Sequence, residues 1–302
     1  MKILITGATG FLGTALCARL KSDGHDVTGF GSARCDLTRQ GSLDQFNSTV
    51  YDHIYHLAAW TQAGDFCLLH PGEQWILNQQ LNTNVLDWWH RRQPQAKLIC
   101  MGTSCAYAPG GNLEEDSYML GVPIESLYTY AMTKRMLYAG LLALHKQFHL
   151  NYLYAVPSTL YGPGYHTDDR QRHFIFDLIH KIIRGKQFGE PVVLWGDGEQ
   201  KRELVYVPDF VDILVRLADN VTNQIVNVGA GEEHSIRDFA AMICEIVGYP
   251  PNKIEYDRTR YVGVLSKRLS VAKLETLLGN SRMTDLRTGL ANTIEWFHEK
   301  RT

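Results

Sequence analysis

The chain has 302 residues, long enough for a large core and two lobes. Its 30 basic and 32 acidic side chains nearly cancel, leaving a net charge of −2 and no electrostatic case for nucleic acid as a main partner. No stretch approaches the roughly 20 apolar residues of a membrane span, and "MKILITG" does not read as a secretory leader. Six cysteines without a CxxC pair read as reduced thiols of a cytoplasmic protein rather than a disulfide framework.

In chain order, "KILITG" (2–7) predicts a fully buried strand and 11–24 a helix closed by Gly24. "DVTGFG" (26–31) reads as a strand, "SLDQFNS" as a short helix and "HIYHLAA" (53–59) as a strand. Residues 74–92 carry apolar residues at helical spacing, 97–104 form a buried strand, 128–148 a long helix and 150–162 another strand. This alternation predicts an α/β fold, a Rossmann-type doubly wound parallel sheet with helices on both faces. After residue 157 the rhythm loosens, and 162–203 are rich in Gly, Pro and charge. Short strands ("VVLWG", "ELVYV") and helices ("VPDFVDILVRLADN", "SIRDFAAMICEIVG") follow. The expected division is a dinucleotide-binding domain over 1–157 and a smaller substrate lobe over 158–302, with some segments returning to the sheet.

"ITGATGFLG" sets Gly7, Gly10 and Gly13 between the first strand and first helix. Glycines at this spacing allow a tight turn and close approach of a pyrophosphate to the helix N-terminus. Thr9, Phe11 and Leu12 share that loop, and Ala58 and Ala59 of "HLAA" end the third strand; all are candidate cofactor contacts. Strand two ends "GFGSARCDL", with Arg34 and no acid at its tip. That favours the 2′-phosphate of NADP, with NAD as the alternative. Asp36 and Leu37 sit where an acid could meet the adenine amino group.

"YAMTK" places Tyr130 and Lys134 at i and i+4 of one helix. A nearby ammonium is expected to lower the phenol's pKa and make the tyrosine an acid–base group for a carbinol or carbonyl oxygen. The lysine could also hold the nicotinamide ribose. By itself such a pair is commonly just helix surface; its position, after a strand ending "GTS", gives it weight.

These motifs together resemble the extended short-chain dehydrogenases/reductases, the superfamily of nucleotide-sugar epimerases, dehydratases and reductases. The resemblance runs from TGxxGxxG through "TSCAY", YxxxK, "LYGPG" and "WGDGEQKRELVYVPD" to "NVGAGEEHSI". It implies that Thr103, four residues before Tyr107, completes the catalytic set with Tyr130 and Lys134. It also implies that Trp195 and Arg202 meet a nucleotide diphosphate. Within the superfamily, G-T-S-C-A-Y is similar to the G-S-S-C-x-Y of the GDP-L-fucose synthase branch, which epimerises C3 and C5 of a 4-keto-6-deoxy sugar and then reduces C4. That branch implies Cys105 and His173 as the epimerisation pair, with Ser104 and Thr159 beside the substrate, and a homodimer built on helices near 76–92 and 130–148. A thiol and an imidazole both titrate near neutral pH and suit proton transfer beside a ketone. The bland reading of Cys105 is core packing, and His166 is a rival for the histidine role.

Three departures stand out. Thr103 replaces serine, Thr159 replaces an asparagine, and residues 60–80 are unusual. In that last stretch Cys67, His70 and Glu73 invite a metal-site reading, but substrate contact or packing is favoured. Asn78, from the following helix, is a candidate support for the cofactor site. The expected activity is a nucleotide-sugar 4-ketoreductase, with or without C3/C5 epimerase activity, using NADPH on an NDP-4-keto-6-deoxyhexose, with GDP favoured by resemblance alone. Rivals are a redox-neutral 4-epimerase or 4,6-dehydratase with bound NAD, and a non-catalytic dinucleotide-binding regulator. Ser104 and Cys105 stand where a dehydratase would carry an Asp–Glu pair. No structural metal is expected.

Overall fold

The structure, a computed structural model, describes residues 1–110, 113–166, 168, 170–259, 264–279 and 283–299. In chain order the first half forms β1 (Lys2–Thr6), α1 (Phe11–Ser22), β2 (Asp26–Phe30), β3 (His53–His56), α2 (Phe66–Leu69), α3 (Pro71–Arg92), β4 (Lys97–Met101), α4 (Tyr128–Phe148) and β5 (Tyr152–Pro157). The second half forms β6 (Thr159–Tyr161), α5 (Phe174–Phe188), β7 (Val192–Trp195), β8 (Lys201–Arg202), β9 (Leu204–Tyr206), α6 (Val207–Asn220), β10 (Gln224–Val228), β11 (His234–Ser235), α7 (Ile236–Val247), β12 (Ile254–Asp257), α8 (Ala272–Leu278) and α9 (Leu286–Glu299). Among the described residues no helix is long and apolar enough to cross a membrane.

Six strands form one parallel sheet in the order β10-β5-β4-β3-β1-β2. Both faces are covered, so its central strands are apolar throughout: Ile3, Leu4 and Ile5 are fully buried. One face packs Trp88, Trp89, Leu137 and Leu141 of α3 and α4. The other packs Leu16 and Leu20 of α1 with Phe210, Leu214 and Leu217 of α6. The doubly wound expectation therefore holds, and β10 and α6 are the later segments that rejoin the sheet. A third core, around Phe176, Ile179, Phe239 and Ile243, lies within the second half of the chain.

Two expectations need correction. The run 150–162 is not one strand. Its chain leaves the sheet after Pro157, which lacks an N–H to continue a ladder, and Thr159–Tyr161 pairs instead with β9. The irregular-looking stretch 162–203 contains the four-turn helix α5, whose Ile175, Phe176, Leu178, Ile179, Ile182 and Ile183 make a buried stripe.

Candidate active site

The strand order reverses between β1 and β3, the kind of point at whose carboxyl ends open α/β sheets take their ligands. Gly7 has φ +68°, and a Cβ on it would lie 2.8 Å from the Ala58 nitrogen. A Cβ on Gly13 would lie 2.1 Å from the Gly7 carbonyl oxygen. Both glycines are therefore required by close backbone packing. Gly10 differs: its Cβ would meet only the Gly7 oxygen, at 3.3 Å, so its outer side is open. It is the N-cap of α1, whose first turn has neither an acid nor a side-chain cap. The unpaired N–H groups there suit a diphosphate.

Thr9 packs against Gly31, Phe11 makes edge contacts with Tyr165 and Phe176, and Leu12 joins the α1–α6 core. Ala58, held by a hydrogen bond from its N–H to the Thr6 hydroxyl (3.2 Å), and the half-buried Ala59 leave the end of β3. His56 is wedged between the Thr6 hydroxyl and Asn82, and burial depresses its pKa to about 4, so it is neutral at physiological pH.

Beyond β2, a crevice is lined by Ser32, Arg34, Asp36, Arg39, Ser42 and Gln45. The Arg34 guanidinium lies 5.5 Å from the Phe46 ring centroid and is aligned by the Gly29 carbonyl. Asp36 accepts from the Thr38 hydroxyl and N–H and pairs with Arg39 at 3.2 Å, interactions that pull its pKa below the ordinary value. Its carboxylate is thus already engaged within its own turn. Leu37 is buried, and its carbonyl accepts from Asn84.

Asn78 is buried, and its amide serves backbone. It accepts from the Trp60 N–H (2.9 Å) and donates to the carbonyls of Trp60 and Gln74. It therefore fixes the loop after β3, a supporting role. In the same stretch His70 pairs with Glu73, whereas the buried Cys67 thiol accepts from Gln74. No group of three metal-ligating side chains occurs among the described residues.

β4 ends at Met101, and a single 3-10 turn, Ser104–Ala106, follows it. Thr103 caps that turn by accepting from the Cys105 N–H at 3.2 Å. The Thr103 hydroxyl also faces the Tyr130 phenol of α4. Ser104 is buried, while Cys105 is half-buried. Lys134, one turn beyond Tyr130, is buried, with its ammonium 5.9 Å from the Tyr130 ring centroid.

The expected lowering of the phenol is not what the structure contains. Burial, and the nearby Cys105, Tyr118 and Cys67, push Tyr130 above its ordinary value, opposed by the hydrogen bond with Thr103. Lys134 is itself depressed to about 8 by burial. The reason is desolvation, the largest cause at both groups, with no Lys134 charge among the causes acting on the phenol.

Cys105 goes the other way. Burial would raise its thiol, but the Lys267 charge, hydrogen bonds with Lys267 and Thr103, and the Arg202 charge outweigh it and bring the pKa below the ordinary value. Lys267 Nζ lies 3.0 Å from Cys105 Sγ. Sequence reasoning missed Lys267, although it lies in "KRLSVAKLETLLG"; nothing local to it points to a strand end 162 positions away.

His173 is the N-cap of α5, and its N–H donates to the Tyr165 hydroxyl. Desolvation, then His166 and Lys267, lower its imidazole, so Lys267 stands within electrostatic range of both Cys105 and His173. His166 instead pairs with Asp168 at 3.0 Å. Arg202 donates to the carbonyls of Lys201 and Val264, and its charge faces Cys105 and Glu233. Trp195, at the end of β7, is half exposed, and Thr159 begins β6. Segments far apart in the chain thus meet: Lys267 and Arg202 face Cys105 beside Thr103 and Tyr130, and His173 lies within electrostatic range of Lys267.

The sequence profile described as the NAD dependent epimerase/dehydratase family matches residues 3–229. GDP-L-fucose synthase 1 of Arabidopsis thaliana is 30% identical, covering 98% of this chain and 93% of its own length. GDP-L-colitose synthase of Yersinia pseudotuberculosis is 29% identical over 98% of both chains. A crystal structure of a GDP-L-fucose synthetase from Naegleria fowleri superposes with a TM-score of 0.88 at 24% identity, covering 99% of this chain and 94% of that one. A profile match across most of the length, on a parallel sheet whose first strand runs into the glycine loop, places the protein: it belongs to the NAD dependent epimerase/dehydratase family.

Proposed function

We propose that the protein is an NADP-dependent nucleotide-sugar 4-ketoreductase that also epimerises carbon beside the ketone, with a GDP-linked 4-keto-6-deoxyhexose as substrate. One observation carries this reading: a single turn sets Thr103 and Cys105 beside Tyr130, so hydroxyls for a carbonyl oxygen and a thiol for its neighbouring carbon share one site. The full-length similarity to GDP-L-fucose and GDP-L-colitose synthases supports the GDP-linked substrate.

The residues present fit a dinucleotide. The open face of Gly10 and the uncapped start of α1 suit its diphosphate, and Arg34 and Arg39 in the crevice beyond β2 suit a 2′-phosphate. When bound, NADPH supplies the hydride for C4. Thr103 and Tyr130 hold the ketone oxygen, and Tyr130, kept protonated by burial, donates the proton that oxygen needs. Lys134 keeps positive charge behind that phenol and within reach of a ribose. Before reduction, Cys105 removes a proton from the carbon beside the ketone, and His173 passes one from solvent to the opposite face. Arg202 and Trp195 offer charge and an aromatic plane to the nucleotide diphosphate.

Exposed apolar residues on the paired helices, Trp75 and Ile76 of α3 with Met136 and Leu142 of α4, support a homodimer through that face. The six unpaired thiols support a reducing, cytoplasmic setting.

The test is one reaction in D₂O with NADPH and GDP-4-keto-6-deoxymannose, following absorbance at 340 nm and product mass. NADPH loss with carbon-bound deuterium is expected. NADPH loss without deuterium would reduce the reading to a 4-reductase, and exchange without NADPH loss would replace it by an epimerase.

A further inference from the structure

Lys267 is not among the candidate site residues read from the sequence, yet its ammonium donates to the Cys105 sulfur at 3.0 Å. It lies in an irregular segment of the second lobe, 264–271, which is pinned on both sides of it. Arg202 donates to the Val264 carbonyl at 2.8 Å. Glu233 accepts from the Ser266 hydroxyl at 2.8 Å and from the Lys267 N–H at 3.2 Å. Glu203, almost fully buried, accepts from the Leu269 N–H at 2.9 Å and the Gly231 N–H at 2.8 Å. Glu233 therefore engages the backbone of Lys267 and leaves its ammonium to the sulfur.

The groups that face Cys105 are of two kinds. Lys267 and Arg202 are cations on the second lobe, and the Thr103 hydroxyl adds a hydrogen bond. Tyr130, Tyr118 and Cys67 are neutral acids, all held protonated by burial. Among the described residues no carboxylate is hydrogen-bonded to Cys105. His173, the other candidate for a positive charge, is shifted toward its neutral form, Lys267 being one of the causes.

We infer that Lys267 is a positioning residue whose ammonium holds Cys105 as the thiolate, making Cys105 the base that takes the proton from the carbon beside the sugar ketone. The inference rests on the proposed function for its substrate, but the Lys267–Cys105 pairing is independent of it. In the step, the C–H bond breaks, its electron pair passes into the enolate, and the proton forms the S–H bond. Thr103 and Tyr130 hydrogen-bond the enolate oxygen. Lys267 keeps all its protons throughout. A thiolate beside an ammonium reacts at neutral pH where an ordinary thiol would be mostly protonated.

The pairing is read without sugar or cofactor, from the rate of Cys105 alkylation by iodoacetamide between pH 5 and 10, followed by peptide mass with Cys105→Ser as the blank. Lys267→Met is expected to move the curve to higher pH and slow alkylation at pH 7 by about tenfold or more. Lys267→Arg, which restores a cation, is expected to keep most of the rate, and its melting curve controls for folding. An unchanged curve in Lys267→Met overturns the inference.

Deuterium wash-in from D₂O then tests the role in the reaction. Lys267→Met should lose wash-in about tenfold, while reduction of an already epimerised 4-ketone changes less than about threefold. A shifted alkylation curve with intact wash-in overturns the catalytic part. If the unsubstituted protein shows no wash-in with any sugar nucleotide, the proposed function fails, and the alkylation series still decides the pairing.

Discussion

Lys134 stands 5.9 Å from the ring centroid of Tyr130 on the same face of α4, and the phenol is nonetheless held protonated. A protonated phenol is the form that gives a proton to an incoming alkoxide. Tyr130→Phe should therefore cut hydride transfer about 10²- to 10⁴-fold while NADPH still binds, as read by fluorescence titration and single-turnover absorbance at 340 nm. Full activity in that variant would sink the assignment.

Lys134 carries a cost in stability. Its pKa falls from 10.5 to about 8 on folding because the ammonium loses its water. Below pH 8 the folded protein must bury that charge, at about 3 kcal/mol. Between pH 8 and 10.5 the unfolded chain binds the proton and the folded one does not, so the penalty fades as pH rises. Lys134→Met should accordingly be more stable than the parent at pH 7, by about 2–3 kcal/mol, with the gain shrinking above pH 8, and it should lose reductase activity. Urea melts across pH 6–10 decide it; a less stable variant at pH 7 would refute the account.

The Ser32–Gln45 crevice predicts a cofactor preference. Replacing Ser32 and Arg34 together by alanine should weaken NADPH about 10- to 100-fold and NADH by less than about threefold. Equal weakening would remove the 2′-phosphate from that crevice. Dissociation constants for both cofactors provide the comparison.

Cys105→Ala separates the two halves of the proposed reaction. Carbon-bound deuterium should vanish, while reduction of a pre-epimerised ketone proceeds at close to the original rate. Unchanged exchange would return Cys105 to a packing role.

Gly13→Ala tests the close packing behind the glycine loop. Its new Cβ would collide with the Gly7 carbonyl, so the fold itself should weaken, by about 1–3 kcal/mol. Calorimetry of the variant without cofactor reads this directly, and an unaltered melting temperature would contradict the geometry.

Much of the site was legible because its chemistry is local. Gly7, Gly10 and Gly13 fall in one loop, and Thr103, Cys105, Tyr130 and Lys134 sit on two neighbouring segments whose patterns announce a strand end and a helix face. Lys267 was not legible, since it reaches Cys105 only through the folding of a distant irregular segment. The sign of the Tyr130 shift was misread because spacing reports proximity and not desolvation, and here desolvation is the larger effect. The bonds of Asn78 to Trp60, which spacing does not reveal, show that it braces a loop. The break at Pro157 and the helix at Phe174–Phe188 were hidden in stretches where proline, glycine and charge blur the periodicity.

The position of β10 has a consequence for biosynthesis. The strand that flanks β5 is not made until residues 224–228, after the whole of α5 and α6. A nascent chain leaving the ribosome therefore exposes β5 as a bare apolar edge while the intervening segments are still being translated, an interval of several seconds. A chaperone that shields such edges, or slow early collapse, would be needed to avoid intermolecular pairing. A gene truncated after residue 157 would leave that edge open for good, and its product should precipitate rather than persist as an isolated cofactor-binding unit.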